Sequence, residues 1–287
     1  MTIRRIVVPM AGSVADETAL ATALLAADRF GAHVDGVHVR ADSRDVAPLA
    51  GEGLSGAMIE EMMAATDREG GRRSEAVRAM FEKVLAKHGI ESGLPTGGTA
   101  KATAAFSVMV GREEDTVARL ARLADLTVVP HPSTADVASS DALHAVLFDS
   151  GRPVLVAPRT GPPGIGMRVC VAWNGTAEAS AAIMGLMPWF GGVQAVQVLH
   201  ANEYQRRGPP AAGVIDYLAM HGVRAELALF RPVNREVGAG LLAAAEEFGA
   251  DLLCMGAYSH SRLRQLVLGG VTRHVLEHAA LPVLMSR

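Results

Sequence analysis

Little in the composition places this chain outside an ordinary globular class. Its 287 residues include only two cysteines, Cys170 and Cys254, and each lies within an apolar, strand-like run. Two buried small hydrophobic side chains explain them better than a metal site or a disulfide framework, because no ligand spacing accompanies them. Cysteines of this kind are typical of a reducing compartment, and we predict a cytoplasmic protein.

An excess of one charge and long apolar runs are also missing. The formal net charge is −3, so no positive field would attract nucleic acid or anionic lipid. No segment reaches the roughly 18 consecutive apolar residues that a membrane-spanning helix needs. Arg262, Arg264 and Arg273 lie close together in the sequence, but their spacing favours a solvated helix face. We therefore expect neither nucleic acid nor membrane among the partners.

Motifs of several enzyme classes do not occur. There is no Gly-x-Ser-x-Gly elbow for a serine hydrolase, and no Gly-x4-Gly-Lys-Ser/Thr loop that would place a lysine on β- and γ-phosphates. Ser259 and His260 are neighbours in sequence, but a triad needs spatial geometry and a third group. We predict no catalytic residues and no metal ligands. The expected protein is not an enzyme, and any turnover would be slow.

Short apolar strands alternate with helical segments along the whole chain. The pattern restarts after Arg159–Gly166, a segment rich in proline and glycine that is typical of a linker. Strand–helix–strand connections give a parallel sheet with helices on both faces. We predict an α/β protein with two tandem, doubly wound, five-stranded parallel sheets. The expected domains are residues 1–159 and 167–287.

The first predicted domain is the longer one because of an insertion, Asp42–Gly98. Within it the sequence predicts a long helix over residues 58–88, broken near Gly70-Gly71. The sequence does not indicate what this segment does.

Small residues follow two strand-like runs of the second half. The first run leads into Trp173-Asn174-Gly175-Thr176, and the fourth run ends in Met255 before Gly256-Ala257-Tyr258-Ser259. Ligands of open α/β sheets bind beyond the carboxyl ends of the strands, where the strand order reverses. If strands one and four are neighbours, these two turns face each other across such a crevice. Asn174 would then reach a ribose or a base edge.

Gly269-Gly270-Val271-Thr272 precedes the last predicted helix. A loop of small residues at a helix N-terminus presents backbone N–H groups to phosphate. Each feature also has a simpler explanation, because a glycine can serve a tight turn and Thr272 can cap a helix. The combined order favours ligand binding. The predicted binding residues are Trp173, Asn174, Gly175, Met255, Gly256, Ser259, Gly269, Gly270, Val271 and Thr272.

These motifs resemble those of the universal stress proteins, and the whole chain resembles two such domains in tandem. Nucleotide-binding members carry Gly-x2-Gly-x9-Gly-Ser/Thr between the fourth strand and the last helix, and an acidic residue after the first strand. Gly256 and Gly269 match, whereas Ser259 and Gly270 replace the other two motif residues and Asn174 replaces the acid. The resemblance implies ATP or a related adenine nucleotide, with or without magnesium, in the second domain.

The first half departs further from the family pattern. Ala11 stands at the acidic position, and Pro130-His131-Pro132 follows the fourth strand. Proline has no N–H to donate, so we expect this half to be a structural or interaction partner. The resemblance also implies that the last strands, Pro153–Ala157 and Pro282–Met285, pair within the chain and protect two sheet edges. Whether two chains then form a homodimer stays open.

Two functions from different classes remain. One is a stress-response protein that binds a nucleotide and acts through partners or conformational change. The alternative is an interaction or scaffold protein that binds no nucleotide and uses its exposed faces and the long insertion. Titration of the melting temperature with ATP separates the two, because a ligand that binds only the folded state raises its stability.

Overall fold

The computed structural model describes residues 2–44, 55–94, 101–132, 137–201, 204, 208–258 and 270–287. The first half has the expected alternation of strands and helices. Its elements are β1 (Arg5–Pro9), α1 (Val14–Phe30), β2 (His33–Arg40), α2 (Gly56–His88), β3 (Thr103–Val110), α3 (Glu113–Ala121), β4 (Leu126–Val129), α4 (Val137–Asp149) and β5 (Val154–Val156).

The second half repeats this order after residues 159–167, which contain no helix or strand. A short 3-10 helix, Met187–Phe190, follows its first α-helix. The other elements are β6 (Arg168–Ala172), α5 (Ala177–Leu186), β7 (Ala195–His200), α6 (Ala211–Met220), β8 (Glu226–Leu229), α7 (Val237–Phe248), β9 (Leu252–Gly256), α8 (Gly270–His278) and β10 (Val283–Ser286).

All ten strands form one sheet in the order β3-β2-β1-β4-β5-β10-β9-β6-β7-β8. Strands within each half are parallel, and the two halves meet where β5 and β10 pair antiparallel, with Leu155 opposite Leu284. The predicted α/β fold of two five-stranded, doubly wound parallel sheets is confirmed. So is the pairing of the last strands within the chain, which removes one exposed edge from each sheet.

Helices cover both faces of the sheet, as strands that are apolar on both sides require. One face packs against α1, α2, α5 and α6, in a core that includes Leu20, Phe81, Ile183 and Leu218. The other face packs against α3, α4, α7 and α8, around Val117, Leu143, Leu241 and Val275. Among the described residues, no helix is both long and apolar enough to cross a membrane.

The cysteines lie on adjacent strands, where Cys254 pairs with Val171 beside Cys170. Their side chains belong to cores on opposite faces of the sheet, so no disulfide can join them. Burial raises the pKa of the Cys170 thiol to about 12 and that of Cys254 further still. Both are therefore buried small hydrophobic residues, as predicted.

One aspartate in each half organises the start of the first strand. Asp125 accepts hydrogen bonds from the backbone N–H groups of Arg4 and Arg5, at 2.8 and 3.0 Å. Asp251 accepts from Met167 and Arg168, both at 2.9 Å. These carboxylates lie at the amino ends of the strands, at the edge of the sheet opposite to the carboxyl ends.

The predicted break in the long helix is wrong, because α2 runs without interruption through Gly70-Gly71. The Ser74 hydroxyl donates to the Gly70 carbonyl at 2.7 Å. The buried residues Val77 and Phe81 hold the following turns against the sheet. Packing of this face outweighs the cost of about 1 kcal/mol for each helical glycine.

Arg29 of α1 ties the two halves together on one face of the sheet. Its guanidinium donates to the carbonyl oxygens of Ile165, Trp189 and Gly191, at 3.3, 2.8 and 2.9 Å. The neighbouring Phe30 ring meets the Trp189 ring edge-on, with centroids 5.0 Å apart. The halves thus share side-chain contacts as well as a sheet.

Candidate functional site

The crevice of the second half lies where its strand order reverses. From β6 the chain moves to β7 and β8 on one side, and β9 then returns to the other side of β6. β6 and β9 are hydrogen-bonded neighbours, with Ala172 opposite Met255. The turn after β6 and the residues that follow β9 therefore leave the sheet side by side. This is the position at which open α/β sheets bind ligands.

Each polar atom of Trp173, the first residue after β6, has a hydrogen-bond partner within the protein. Its backbone N–H donates to Leu199, and its indole N–H donates to the Pro209 carbonyl at 3.0 Å. The Nδ1 atom of His200 lies 3.3 Å from the Trp173 carbonyl oxygen. With 7% of its surface exposed, Trp173 packs in the core and supports the turn. His200 is likewise engaged in that support.

Asn174, Gly175 and Thr176 form a turn that caps α5. The Asn174 side-chain oxygen accepts from the Thr176 N–H at 3.2 Å, and the Thr176 hydroxyl accepts from the Ala179 N–H at 3.3 Å. Gly175 has a φ of +82°, a conformation that favours glycine. The N–H groups of Asn174 and Gly175 have no acceptor within the described part of the chain. Both amides are thus without a protein acceptor in this range, and Gly175 is buried whereas Asn174 is partly exposed.

The segment before α6 limits the crevice on the β7 side. The backbone of Gly208 lies directly on Gly175, since a Cβ at position 208 would fall 1.9 Å from the Gly175 oxygen. Trp173 holds the adjoining Pro209 through its indole. Sequence reasoning missed Gly208, because contact between two turns 33 residues apart leaves no local pattern.

Met255 and Gly256 end β9, and packing within the protein explains both. Met255 is buried in the core on the α7 and α8 face. A Cβ on Gly256 would lie 2.4 Å from the Ala179 nitrogen and 2.6 Å from the Glu178 carbonyl carbon. The N-terminus of α5 therefore crosses directly over Gly256. This close approach accounts for the glycine without a ligand.

Tyr258 is a residue that the sequence analysis did not single out. It adopts a φ of +54°, which is unusual for a bulky side chain. Its hydroxyl lies 3.1 Å from Nε2 of His144, which belongs to α4 of the first half. Burial raises the pKa of the Tyr258 phenol to about 12. The exit from β9 is therefore in contact with the other half of the molecule.

Of the predicted phosphate-binding residues, Ser259 and Gly269 lie outside the described residues. Gly270 begins α8 and is exposed, and no atom of the described residues lies within 4 Å of where its Cβ would be. Val271 is partly buried and Thr272 is buried. Because α8 leads into β10, which runs parallel to β9, its N-terminus lies at the same edge of the sheet as the two turns.

The corresponding turn of the first half, Met10 to Ser13, contains its own carboxylate. One oxygen of Asp16 accepts from the N–H groups of Ala11, Gly12 and Ser13, at 2.9, 2.7 and 2.9 Å. Burial raises the pKa of Asp16, and the three backbone hydrogen bonds oppose that shift. The position that an anionic ligand could take is thus filled by the protein.

Helix α2 also closes over this turn of the first half. The Arg73 side chain donates to the Ala11 carbonyl at 2.8 Å. The Val77 side chain lies 3.0 Å from where a Cβ of Gly12 would be. The long insertion therefore has a structural role that the sequence did not reveal. Within the described ranges, no group of three histidine, cysteine or acidic residues could hold a metal ion in either half.

Residues 230–287 match the model of the universal stress protein family. The match contains β9, α8 and β10, and with them the loop predicted to bind phosphate. The C-terminal part of the chain is therefore similar to this family. The universal stress protein Slr1230 of Synechocystis is 50% identical to the chain over 42 residues. That stretch is only 15% of the length of each protein, so the relative says nothing about the remainder.

Two solved structures extend the likeness to the whole chain. A universal stress protein of Archaeoglobus fulgidus has a TM-score of 0.64 and 14% identity, covering 100% of this chain and 97% of its own. A functionally unknown protein of Pseudomonas aeruginosa has a TM-score of 0.54 and 15% identity, covering 99% and 92%. At such identities the likeness concerns the fold. Together with the family match, it confirms the predicted resemblance to a tandem universal stress protein.

Proposed function

We propose that this universal stress protein binds ATP or a related adenine nucleotide, with or without magnesium, in the crevice of its second half. The observation that carries the proposal is the difference between the two first turns. Asp16 takes three backbone amides in the first half. In the second half the N–H groups of Asn174 and Gly175 have no acceptor within the described residues. Amides that converge in this way favour an anionic or polar ligand.

In the proposed complex the sugar or base lies against the turn at Asn174 and Gly175. The phosphates lie at the N-terminus of α8, where Gly270, Val271 and Thr272 contribute, together with Ser259 and Gly269. The positive end of a helix dipole and the free N–H groups of its first turn favour phosphate there. Trp173, Met255 and Gly256 take a supporting role, because they shape the crevice from the protein side.

Nucleotide binding acts here through partners or conformational change, and the proposal includes no catalytic step. The described residues of the two turns offer amides and one amide side chain but no general base. His200, a titratable group that reaches the first turn, is already engaged with the Trp173 carbonyl. Any ATP hydrolysis in this crevice would therefore be slow. A cytoplasmic location and a homodimer stay predictions.

The direct experiment is a titration of the melting temperature with ATP, with and without magnesium. At about one hundred times the dissociation constant, a ligand adds about 2.7 kcal/mol to the free energy of unfolding. Thr272→Val removes one hydroxyl at the N-terminus of α8 and should weaken binding about tenfold or more, as loss of a hydrogen bond to a charged group does. Thr116→Val, at a buried threonine of α3 in the first half, is the matched control and should leave binding unchanged.

A melting temperature that does not respond to nucleotide would contradict the proposal and favour the alternative function, an interaction or scaffold protein. One feature supports that alternative. The edge strand β8 exposes Leu227 and Leu229, at 45% and 62% of their surface, and a nearby residue, Val233, is 45% exposed. Exposed aliphatic residues on an unpaired edge suit contact with another chain.

A further inference from the structure

We infer that the first half positions the nucleotide crevice of the second half, through the contact between His144 and Tyr258. This inference rests on the proposed function and adds a form of regulation to it. The two residues lie 114 positions apart in sequence, and their side chains meet across the junction of the two sheets. Tyr258 follows Gly256, the glycine over which α5 crosses, by two residues.

The antiparallel pairing at the centre of the sheet brings these residues together. Val154, at the start of β5, lies opposite Met285, near the end of β10. The C-terminal turn of α4, which precedes β5, is thereby placed beside the carboxyl ends of β10 and of its neighbour β9. A residue of the first half consequently reaches the crevice edge of the second half.

The hydrogen bond lies within a cluster of aromatic side chains, and Arg287 at the C-terminus packs on this cluster. The Tyr258 ring packs against Phe148 of α4, with centroids 5.3 Å apart, and against the His144 ring at 5.7 Å. The guanidinium of Arg287 lies over the Phe148 ring, with its central carbon 4.3 Å from the ring centroid. Burial lowers the pKa of His144 and raises that of Tyr258. At neutral pH both groups are therefore uncharged, and one hydrogen bond joins Nε2 of His144 to the Tyr258 phenol.

The backbone of Tyr258 shows that these contacts hold it in place. A left-handed conformation costs an ordinary L-residue roughly 1–2 kcal/mol, and such conformations persist only where the surroundings enforce them. The hydrogen bond and the aromatic contacts supply that enforcement. Because Tyr258 leaves β9 at the carboxyl edge of the sheet, the contact fixes the last described residues at this end of the crevice.

Among its described residues, the first half shows no equivalent of this contact. By strand register, Pro132 corresponds to Tyr258, and Arg273 and Glu277 of α8 correspond to His144 and Phe148. Arg273 and Glu277 pair with each other on the helix surface, with 2.7 Å between nitrogen and oxygen. The aromatic contact thus serves only the half that we propose to bind nucleotide. His144 and Tyr258 are positioning residues there.

The experiment measures the dissociation constant of ATP with magnesium for the intact protein by calorimetry. Tyr258→Phe and His144→Phe each remove the hydrogen bond, and the double variant completes a cycle. His144→Gln keeps an acceptor, and Tyr217→Phe removes a hydroxyl that instead contacts Met184 of α5. Each single variant should bind about 5- to 10-fold more weakly, which corresponds to the loss of one hydrogen bond. The double variant should be no weaker than either single variant.

His144→Gln should restore binding to within about twofold of the wild type, and Tyr217→Phe should match the wild type, since a single hydrogen bond accounts for only a 5- to 10-fold effect. If the wild type binds ATP and both Phe variants bind it equally well, this inference is overturned and the proposed function stands. Additive losses in the double variant would also overturn it. If the wild type binds no nucleotide, both the inference and the proposed function fall.

Discussion

The first turns of the two halves have a similar backbone conformation, but their backbone N–H groups differ in their hydrogen-bond partners. Gly12 and Gly175 both have positive φ, at +93° and +82°. His38 lies 2.7 Å from the Met10 carbonyl, as His200 lies 3.3 Å from that of Trp173. In the first half, Asp16 accepts from three backbone N–H groups of the turn. In the second half, the Asn174 side chain accepts only from the N–H of Thr176. The framework of the crevice is therefore retained in both halves, and in the first half Asp16 and helix α2 together close it.

The residues that follow the fourth strands also differ between the two halves. Pro130 follows β4, where no N–H can be offered, and Gly256 ends β9 directly beneath the N-terminus of α5. This difference teaches that a glycine in a binding motif can be required by the protein's own backbone. A substitution at such a position is expected to lower the stability of the fold, whether or not the residue contacts a ligand.

The largest effect expected from this comparison is that of Gly256→Val. Its side chain would collide with the backbone of α5, which cannot move aside as a flexible side chain could. We expect a loss of about 3 kcal/mol or more in the free energy of unfolding, or no folded protein, as in severe overpacking. Urea denaturation measures the change. Gly270→Ala is the control, because no described residue lies within 4 Å of its Cβ position. Equal stabilities of the two variants would contradict the close approach.

Replacement of Asp16 by alanine should have the next largest effect. Three N–H groups would lose their charged acceptor, and a hydrogen bond to a charged group contributes about 1.5–3 kcal/mol. We expect a loss in that range by urea denaturation, with nucleotide binding in the second half unchanged. The exposed Asp28 of the same helix supplies the control variant, Asp28→Ala. A loss no greater than that of the control would mean that Asp16 does not hold the turn.

A smaller effect concerns two histidines at the exits of the fourth strands. Burial lowers the pKa of His131, next to β4, and of His144, beside the exit from β9. As the pH falls, these two histidines are therefore protonated in the unfolded chain at about pH 6.5, before they are protonated in the folded protein. Stability is complete above that pH and declines as the pH falls through the lower folded-state values.

This decline can be measured by urea denaturation between pH 7 and pH 5. His131→Gln and His144→Gln should each make it shallower, because each removes one group whose protonation favours the unfolded chain. The two variants compare the exits of the two halves directly. Slopes that match the wild type would show that neither histidine is protonated more easily on unfolding.

Much of the fold could be predicted from local patterns. Buried strands gave apolar runs, helices gave periodic ones, and Arg159–Gly166 marked the segment between them. The pairing of β5 with β10 followed from the family resemblance. What the sequence could not provide were contacts between distant positions. Arg73 reaches Ala11 across 62 residues and His144 reaches Tyr258 across 114, and neither contact produces a periodic signal.

One missed residue did leave a local trace. Ser13 and Asp16 are separated by the spacing of a capping box at the start of α1. The same three-residue spacing in the second half joins Thr176 to Ala179, which has no carboxylate. A comparison of the two repeats at this spacing would have identified the feature that distinguishes the halves.

The most direct test of the account transfers that carboxylate to the second half. Ala179→Asp places it at the helix position that Asp16 occupies in the first half, and Ala179→Asn is the matched uncharged variant. By calorimetric titration, we expect the wild type to bind ATP, Ala179→Asp to bind none, and Ala179→Asn to retain some affinity. If Ala179→Asp binds ATP as tightly as the wild type does, the open amides of this turn do not form the nucleotide site.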